Sequence, residues 1–212
     1  TLKSPFKEGY PKLSTYNLYF IMYLIFKRLI DVLVSLVILL FLFPFLILVV
    51  FLIKIDSKGP IFYLQSRVGK NRHLFKVYKF RTMTNKQRDP NAKQTFWDDP
   101  DITRIGGLLR RFKIDELPQI WNVFVGDMSL VGPRPALPSL YEKYGDLANK
   151  RCCVRPGMTG WAQVNGNIYL PWEKRLLLDS EYVDRISFMF DLRILVKTVA
   201  IVLLGEDKFI KK

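Results

Sequence analysis

Val32 to Ile53 reads VLVSLVILLFLFPFLILVVFLI, 22 residues without a charge. At about 1.5 Å of rise per residue, such a helix is long enough to cross a hydrocarbon core about 30 Å thick. The run is too long for the apolar part of a cleavable signal peptide, and no small-residue cleavage site precedes the next basic segment. Pro44 lies near its middle, where proline removes a backbone hydrogen bond and crowds the preceding turn. Lys27 and Arg28 precede the run, and Lys54, Lys58, Arg67, Lys70 and Arg72 follow it. Short basic flanks stay cytoplasmic, and both flanks qualify. A helix that enters the membrane, breaks at Pro44 and returns satisfies both observations. A kinked single span and a buried soluble helix are the alternatives. The expected organisation is a surface lead-in over 1–26, a re-entrant membrane hairpin over 27–56 and a catalytic domain over 57–212.

Outside the apolar run the chain is strongly basic. Lys and Arg total 33 against 19 Asp and Glu, a net charge of +14 in 212 residues. Such an excess favours a polyanionic partner: nucleic acid, an anionic membrane surface or a phosphorylated substrate. Half the residues are apolar, which excludes wholesale disorder. Cys152 and Cys153 are adjacent, a poor arrangement for a disulfide, and no Cys/His spacing suggests zinc. They read as small buried side chains. His73, in the charged turn GKNRH, is the only histidine, so a histidine-based triad is disfavoured.

IFYLQSRVGKNRHLFKVYKFRTM reads as two short strands around GKN. On the second strand Val77, Lys79 and Arg81 share one face, so two cations can point toward one anion. Residues 84–103 are polar and turn-rich. A helix through GGLLRRF follows, then KIDELPQIWNVFVG, in which Pro118 suits a first helical turn and Gly126 the position past a helix end. Asp115 and Glu116 therefore sit at or before a helix N-terminus. Further helices are expected over PSLYEKYGDLANK, PWEKRLLLDSEYVDRI and Asp191 to Leu204. In the last, Leu192, Leu195, Val196, Val199, Val202 and Leu203 form one stripe, for which core packing and membrane-surface docking are both open. The fold class is α+β: a small, mostly helical cytosolic domain with a short β-hairpin, attached to a Pro-broken membrane helix and amphipathic surface helices.

Two adjacent acids at a helix start have an ordinary use in capping. Here Arg110, Arg111 and Lys113 stand within five residues of the pair, and Arg134 follows in the rigid GPRP loop. Capping does not need that density of cations, but phosphate chemistry does. A carboxylate in such a site can hold Mg²⁺ that also binds substrate phosphates, or attack phosphorus itself. An ionised aspartate needs no histidine base.

KVYKFRTM, LLRRFKIDELPQIWNVFVGDMSLVGPRP and RPGMTGWAQVNG, in this order behind a basic-flanked apolar run, resemble the bacterial sugar transferases, the monotopic polyprenol-phosphate phosphoglycosyltransferases. The resemblance runs from about Lys27 to Leu204. It implies transfer of a sugar phosphate from a UDP-sugar to polyprenol (undecaprenyl) phosphate with release of UMP, the initiating step of bacterial surface-glycan assembly. It implies a ping-pong course through a covalent intermediate on Asp115, with Glu116 beside it placing Mg²⁺. Lys79, with Arg81 two residues on, and Arg110 and Arg134 carry over as phosphate contacts. The implied location is the cytoplasmic face of the bacterial inner membrane. Two departures stand out: Phe43-Pro44 replaces the frequent Ser-Pro at the helix break, and Asn167 replaces an arginine after VNG. No nucleic acid is expected as partner, and a homodimer is left open. The rival readings are a catalytically inactive membrane scaffold for glycan assembly, a basic membrane-associated nucleic-acid-binding protein, and a transferase that moves the sugar alone and releases UDP.

Overall fold

The computed structural model describes residues 18–84 and 99–204. Most of the expected lead-in, most of the polar loop 84–103 and residues 205–212 lie outside the described residues.

The apolar run belongs to helix α1, Leu18–Asp56, 39 residues with Pro44 inside and helical throughout. It starts nine residues before the expected boundary because LYFIMYLIF continues the apolar pattern ahead of Lys27. Straight, such a helix is about 58 Å long, more than the roughly 40 Å across a compact body of about 150 residues. Both of its arms nevertheless dock on one body. On the first arm, Tyr23 donates to Asp191 at 2.6 Å and Lys27 pairs with the same carboxylate. Arg28 donates to the carbonyls of Val123 and Phe124, and Asp31 accepts from the backbone of Leu130. On the second arm, Val49 and Ile53 are buried against Phe80 and Leu109, and Asp56 accepts from the backbone N–H of Ile105. Between the arms the helix is bare: Leu40, Phe41 and Phe43 are 67%, 82% and 62% exposed.

The hairpin forms as expected. Strands β1 (Phe62–Val68) and β2 (Leu74–Phe80) pair antiparallel, Tyr63 opposite Lys79. The turn between them passes through Asn71 and Arg72 at positive φ, with His73 exposed. Helices α2 (Arg104–Arg111) and α3 (Gln119–Val125) flank the acidic pair, and Gly126 closes α3 in the left-handed conformation. A pair of three-residue strands was not expected: β3 (Ser129–Val131) lies parallel to β4 (Gly157–Thr159). Only glycine permits the contact beside it, since a Cβ on Gly157 would stand 2.0 Å from the backbone nitrogen of Gly132. Helix α4 (Pro138–Asn149) is interrupted at Gly145, and α5 (Trp172–Arg185) and α6 (Phe188–Leu204) complete the body.

Helix α6 resolves the question its stripe left open. The stripe itself does not pack in the core: Val196, Val199, Val202 and Leu203 are 57–76% exposed. The opposite face buries Phe190 and Ile194 in the core beside Trp161 and Tyr182, with polar side chains along its border. Arg193 and Lys197 lie over the Trp161 ring at 5.5 and 4.7 Å, and Thr198 meets Thr159 at 2.6 Å. The helix is thus apolar on two sides, one packed on the core and one bare, unlike a surface helix of a water-soluble protein, whose outer face is polar. Leu108, Phe112, Trp121 and Val125, around α2 and α3, are exposed as well.

Candidate active site

The acidic pair lies in a 3-10 turn, Ile114–Glu116, entered through Lys113 in the left-handed conformation (φ 55°). Helix α2 leads into the turn and α3 leads away after Pro118, so the dyad faces the end of β2. Two devices fix this. Gly106 lets α2 approach the chain just past β2, where a Cβ would stand 2.1 Å from the Thr82 carbonyl oxygen. Arg110 then donates from Nε to Thr82 Oγ1 at 2.8 Å. From the other side Asn122 of α3, fully buried, accepts from the Tyr78 backbone N–H and donates to the Lys76 carbonyl.

Glu116 is tied down. Lys79 Nζ and Arg134 Nη2 reach its Oε1 at 2.7 and 2.6 Å, and Arg134 Nη1 lies 3.4 Å from Oε2. Despite burial, these two cations hold its carboxyl well below the usual range. Asp115 differs: it makes no ion pair among the described residues. Burial, and next the charge of Glu116, push its carboxyl up, while Lys79 and Arg110 oppose the rise. A higher pKa makes the ionised group more basic and more nucleophilic, and the neighbouring cations favour that ionised form.

The expected phosphate contacts separate into two sets. Lys79, Arg110 and Arg134 converge on the dyad. Arg81 does not: the strand ends at Phe80, and Arg81 is buried with Nη2 on the carbonyl and hydroxyl of Ser57, just past the end of α1. Its Nε and Nη1 have no hydrogen-bond partner among the described residues. Arg111 is exposed on α2, its guanidinium 5.7 Å from the Phe112 ring centre, and makes no described contact with either acid. Asn167 stands at positive φ in the loop before α5, stabilised by Arg175, which donates to the carbonyls of Ile168 and Leu170.

Three contributors escaped the sequence reading. Arg67 of β1 donates to Gln65 and the Pro135 carbonyl; burial and the nearby Arg134 pull its pKa down to about 10. Arg151 donates to the carbonyl of Arg134 and pairs with Asp179 at 2.9 Å, both side chains almost fully buried. Burial pushes the Asp179 carboxyl up to about 6 against the pull of Arg151 and Arg175. The signal for Asp179 was available, because it lies on the apolar face of α5 with Leu176, Tyr182 and Val183 at helical spacing. Its buried pair with Arg151 fixes the backbone from which Arg134 reaches Glu116.

No cluster of three metal-ligating side chains exists among the described residues. Magnesium commonly takes only one or two carboxylates and completes its shell with waters and substrate phosphates. The dyad fits that pattern, with Asp115 and the lightly held Oε2 of Glu116 as the oxygens that would hold the ion.

The site thus sets an uncommitted carboxylate among fixed cations, on a body that carries a long bare apolar helix. The chain belongs to the bacterial sugar transferase family, whose profile matches residues 22–205. It is 41% identical to the uncharacterized sugar transferase EpsL of Bacillus subtilis (strain 168), over 86% of this chain and 90% of that protein. It is 39% identical to the UDP-glucose:undecaprenyl-phosphate glucose-1-phosphate transferase of Escherichia coli (strain K12), over 82% of this chain and 39% of that protein. To the UDP-N-acetylgalactosamine-undecaprenyl-phosphate N-acetylgalactosaminephosphotransferase of Aeromonas hydrophila it is 35% identical, over 86% of this chain and 45% of that protein. The chain thus spans nine-tenths of EpsL but under half of these two named transferases.

Proposed function

We propose that the chain moves a sugar 1-phosphate from a UDP-sugar to polyprenol phosphate and releases UMP, in two displacements at Asp115. The observation that carries this reading is the contrast within the dyad: Glu116 is held by Lys79 and Arg134, while Asp115 is left uncommitted. In the first displacement a carboxylate oxygen of Asp115 attacks the sugar-bearing phosphorus. The bond from that phosphorus to the bridging oxygen breaks, and UMP leaves with the electron pair. In the second, an oxygen of polyprenol phosphate attacks the same phosphorus, and the aspartyl oxygen departs as carboxylate. Neither displacement requires a proton to move, consistent with a site without histidine. Lys79, Arg110 and Arg134 stabilise the charge on the transferring phosphoryl oxygens. Bound Mg²⁺ would supply charge neutralisation and positioning of the substrate phosphates. Lipid-dependent UMP release from one member of a UDP-sugar panel tests the reaction. UDP in place of UMP would assign sugar transfer alone and overturn the proposal.

The acceptor lipid accounts for the bare surfaces. We place the midsection of α1 within the bilayer, its two arms returning to one cytoplasmic body, with the outer face of α6 and the Leu108–Phe112–Trp121 patch against the lipid. In support, the most apolar part of α1 has mean hydropathy 3.5 and is only 11% buried. Leaving such side chains in water forgoes about 1.5–3 kcal/mol each. The bacterial inner membrane is the location that polyprenol phosphate requires. With the native cysteines replaced, Leu18→Cys and Lys58→Cys are expected to react with an impermeant maleimide from the same side of inverted vesicles. Labelling from opposite sides would establish a true span.

The acid limb of kcat/KM follows from Asp115. Its pKa is raised in the folded protein, so activity is lost, as pH falls, at a higher pH than an ordinary aspartate would give. Removing the Glu116 charge takes away part of the rise and leaves Lys79 and Arg110 acting on Asp115. Glu116→Gln is therefore expected to move the limb to lower pH, alongside a lower maximal rate. A limb that stays in place or moves up would dissociate it from Asp115.

A further inference from the structure

At the far end of α3 from the dyad, a solvent-open depression of about 290 Å³ is lined by Lys27, Arg28, Asp31, Lys70, Ser129 and Arg155, with apolar walls. Several of these charges have structural uses. Lys27 pairs with Asp191, Asp31 accepts from the Leu130 backbone, and Arg28 covers the carbonyls of Val123 and Phe124. Arg155 spends only Nε, on the Gly126 carbonyl. Its two terminal nitrogens and the Lys70 ammonium have no protein partner among the described residues. Lys70 is half-buried, and desolvation together with the charge of Arg155 pulls its pKa down. Between them Ser129, 1% exposed, has a hydroxyl without a hydrogen-bond partner among the described residues. With Asp191 counted, the depression holds four cations against two carboxylates. Two like charges and an orphaned hydroxyl on one concavity are costly unless an anion completes them.

We infer that this depression is a second phosphate-binding site, separate from the reacting centre, and that it takes the headgroup phosphate of an anionic membrane lipid. Phosphate oxygens accept from Lys70, from the outer edge of Arg155 and from Ser129, supplying the partners these groups lack. Lys79, Arg110 and Arg134 do not line it, and the length of α3, about 10 Å, separates it from Asp115. The lipid source follows from the wall. Leu24, Lys27, Arg28 and Asp31 belong to the first arm of α1, beside which Ile25, Leu29 and Leu33 stand exposed. A phosphate seated here has its acyl chains beside apolar helix at the level where α1 leaves the body.

The test uses the full chain in nanodiscs of phosphatidylcholine, with or without a minor fraction of phosphatidylglycerol, and a third arm with millimolar inorganic phosphate. Phosphatidylglycerol is expected to raise the melting temperature of the wild type and to bind it in native mass spectrometry. Lys70→Ala and Arg155→Gln are each expected to weaken that binding about tenfold or more, the loss of one charge-assisted bond. The Lys70 side chain makes no hydrogen bond or ion pair among the described residues, so its variant keeps the fold even where Arg155→Gln, which gives up the Gly126 contact, does not. Lys174→Ala removes an equal charge from exposed α5 and is expected to behave as wild type. In phosphatidylcholine alone, Lys70→Ala is expected to keep the wild-type rate of UMP release. Unchanged phosphatidylglycerol binding in Lys70→Ala would overturn the site. Full stabilisation by inorganic phosphate, with nothing added by the lipid, would overturn the lipid source.

Discussion

Asp115→Asn is expected to reduce lipid-dependent UMP release by at least about 10³-fold, the scale on which removing a covalent nucleophile acts, while leaving the protein as stable as before or more so. The two halves come from one observation. The carboxylate is pushed up by burial and by Glu116, so the folded protein favours the neutral form of this side chain more than the unfolded chain does. A neutral amide of the same shape therefore removes a cost to folding as it removes the nucleophile. By the same sign, the contribution of Asp115 to stability is fully present below the ordinary aspartate pKa and is lost as pH rises through the raised value. Glu116 runs the other way. Its lowered pKa contributes stability above the ordinary glutamate range, lost as pH falls toward the folded value. Intact-mass measurement with a UDP-sugar and no acceptor lipid is expected to show wild type heavier by one sugar phosphate and Asp115→Asn unchanged. Substantial turnover by Asp115→Asn would remove the covalent step.

What the sequence disclosed depended on how far each feature reaches along the chain. The hairpin around GKN, the turn holding Asp115 and Glu116, and the end of α3 at Gly126 are set by neighbours within a few residues, and each lies where the residues imply. The α6 stripe was legible as a stripe, but its direction was not. Periodicity shows that Val196 and Val199 share a face, whereas a contact more than thirty residues away in sequence, Ile194 packed in the core with Trp161, decides that this face turns outward. Strand alternation placed Lys79 and Arg81 together, yet β2 ends between them, and the pleat no longer governs where Arg81 goes. Strands of three residues are too short to show alternation, so the β3–β4 pair left only its glycines as a trace.

Asn122→Leu is expected to destabilise the protein by about 3–5 kcal/mol, the cost of two buried backbone groups left without partners. β2 pairs with β1 along one edge, and along the other its Tyr78 N–H and Lys76 carbonyl meet the Asn122 amide at 3.1 and 2.9 Å. A single side chain thus stands where a third strand would, and leucine, of similar size, fills the space without the hydrogen bonds. The functional effect is expected to exceed the loss of stability. β2 carries Lys79, the chain into α3 carries the dyad, and Asn122 is the buried polar contact from α3 that holds one against the other, so loosening it lengthens the Lys79–Glu116 pair. Leu140→Ala, in the separate core of Ala136, Ala148 and Leu176, gives a comparison of similar destabilisation. Below the melting range of both variants, Asn122→Leu is expected to lose kcat while Leu140→Ala keeps it. Equal activity in the two would mean that Asn122 serves the fold alone. A denaturation midpoint for Asn122→Leu close to wild type would mean that the edge of β2 finds its hydrogen bonds elsewhere.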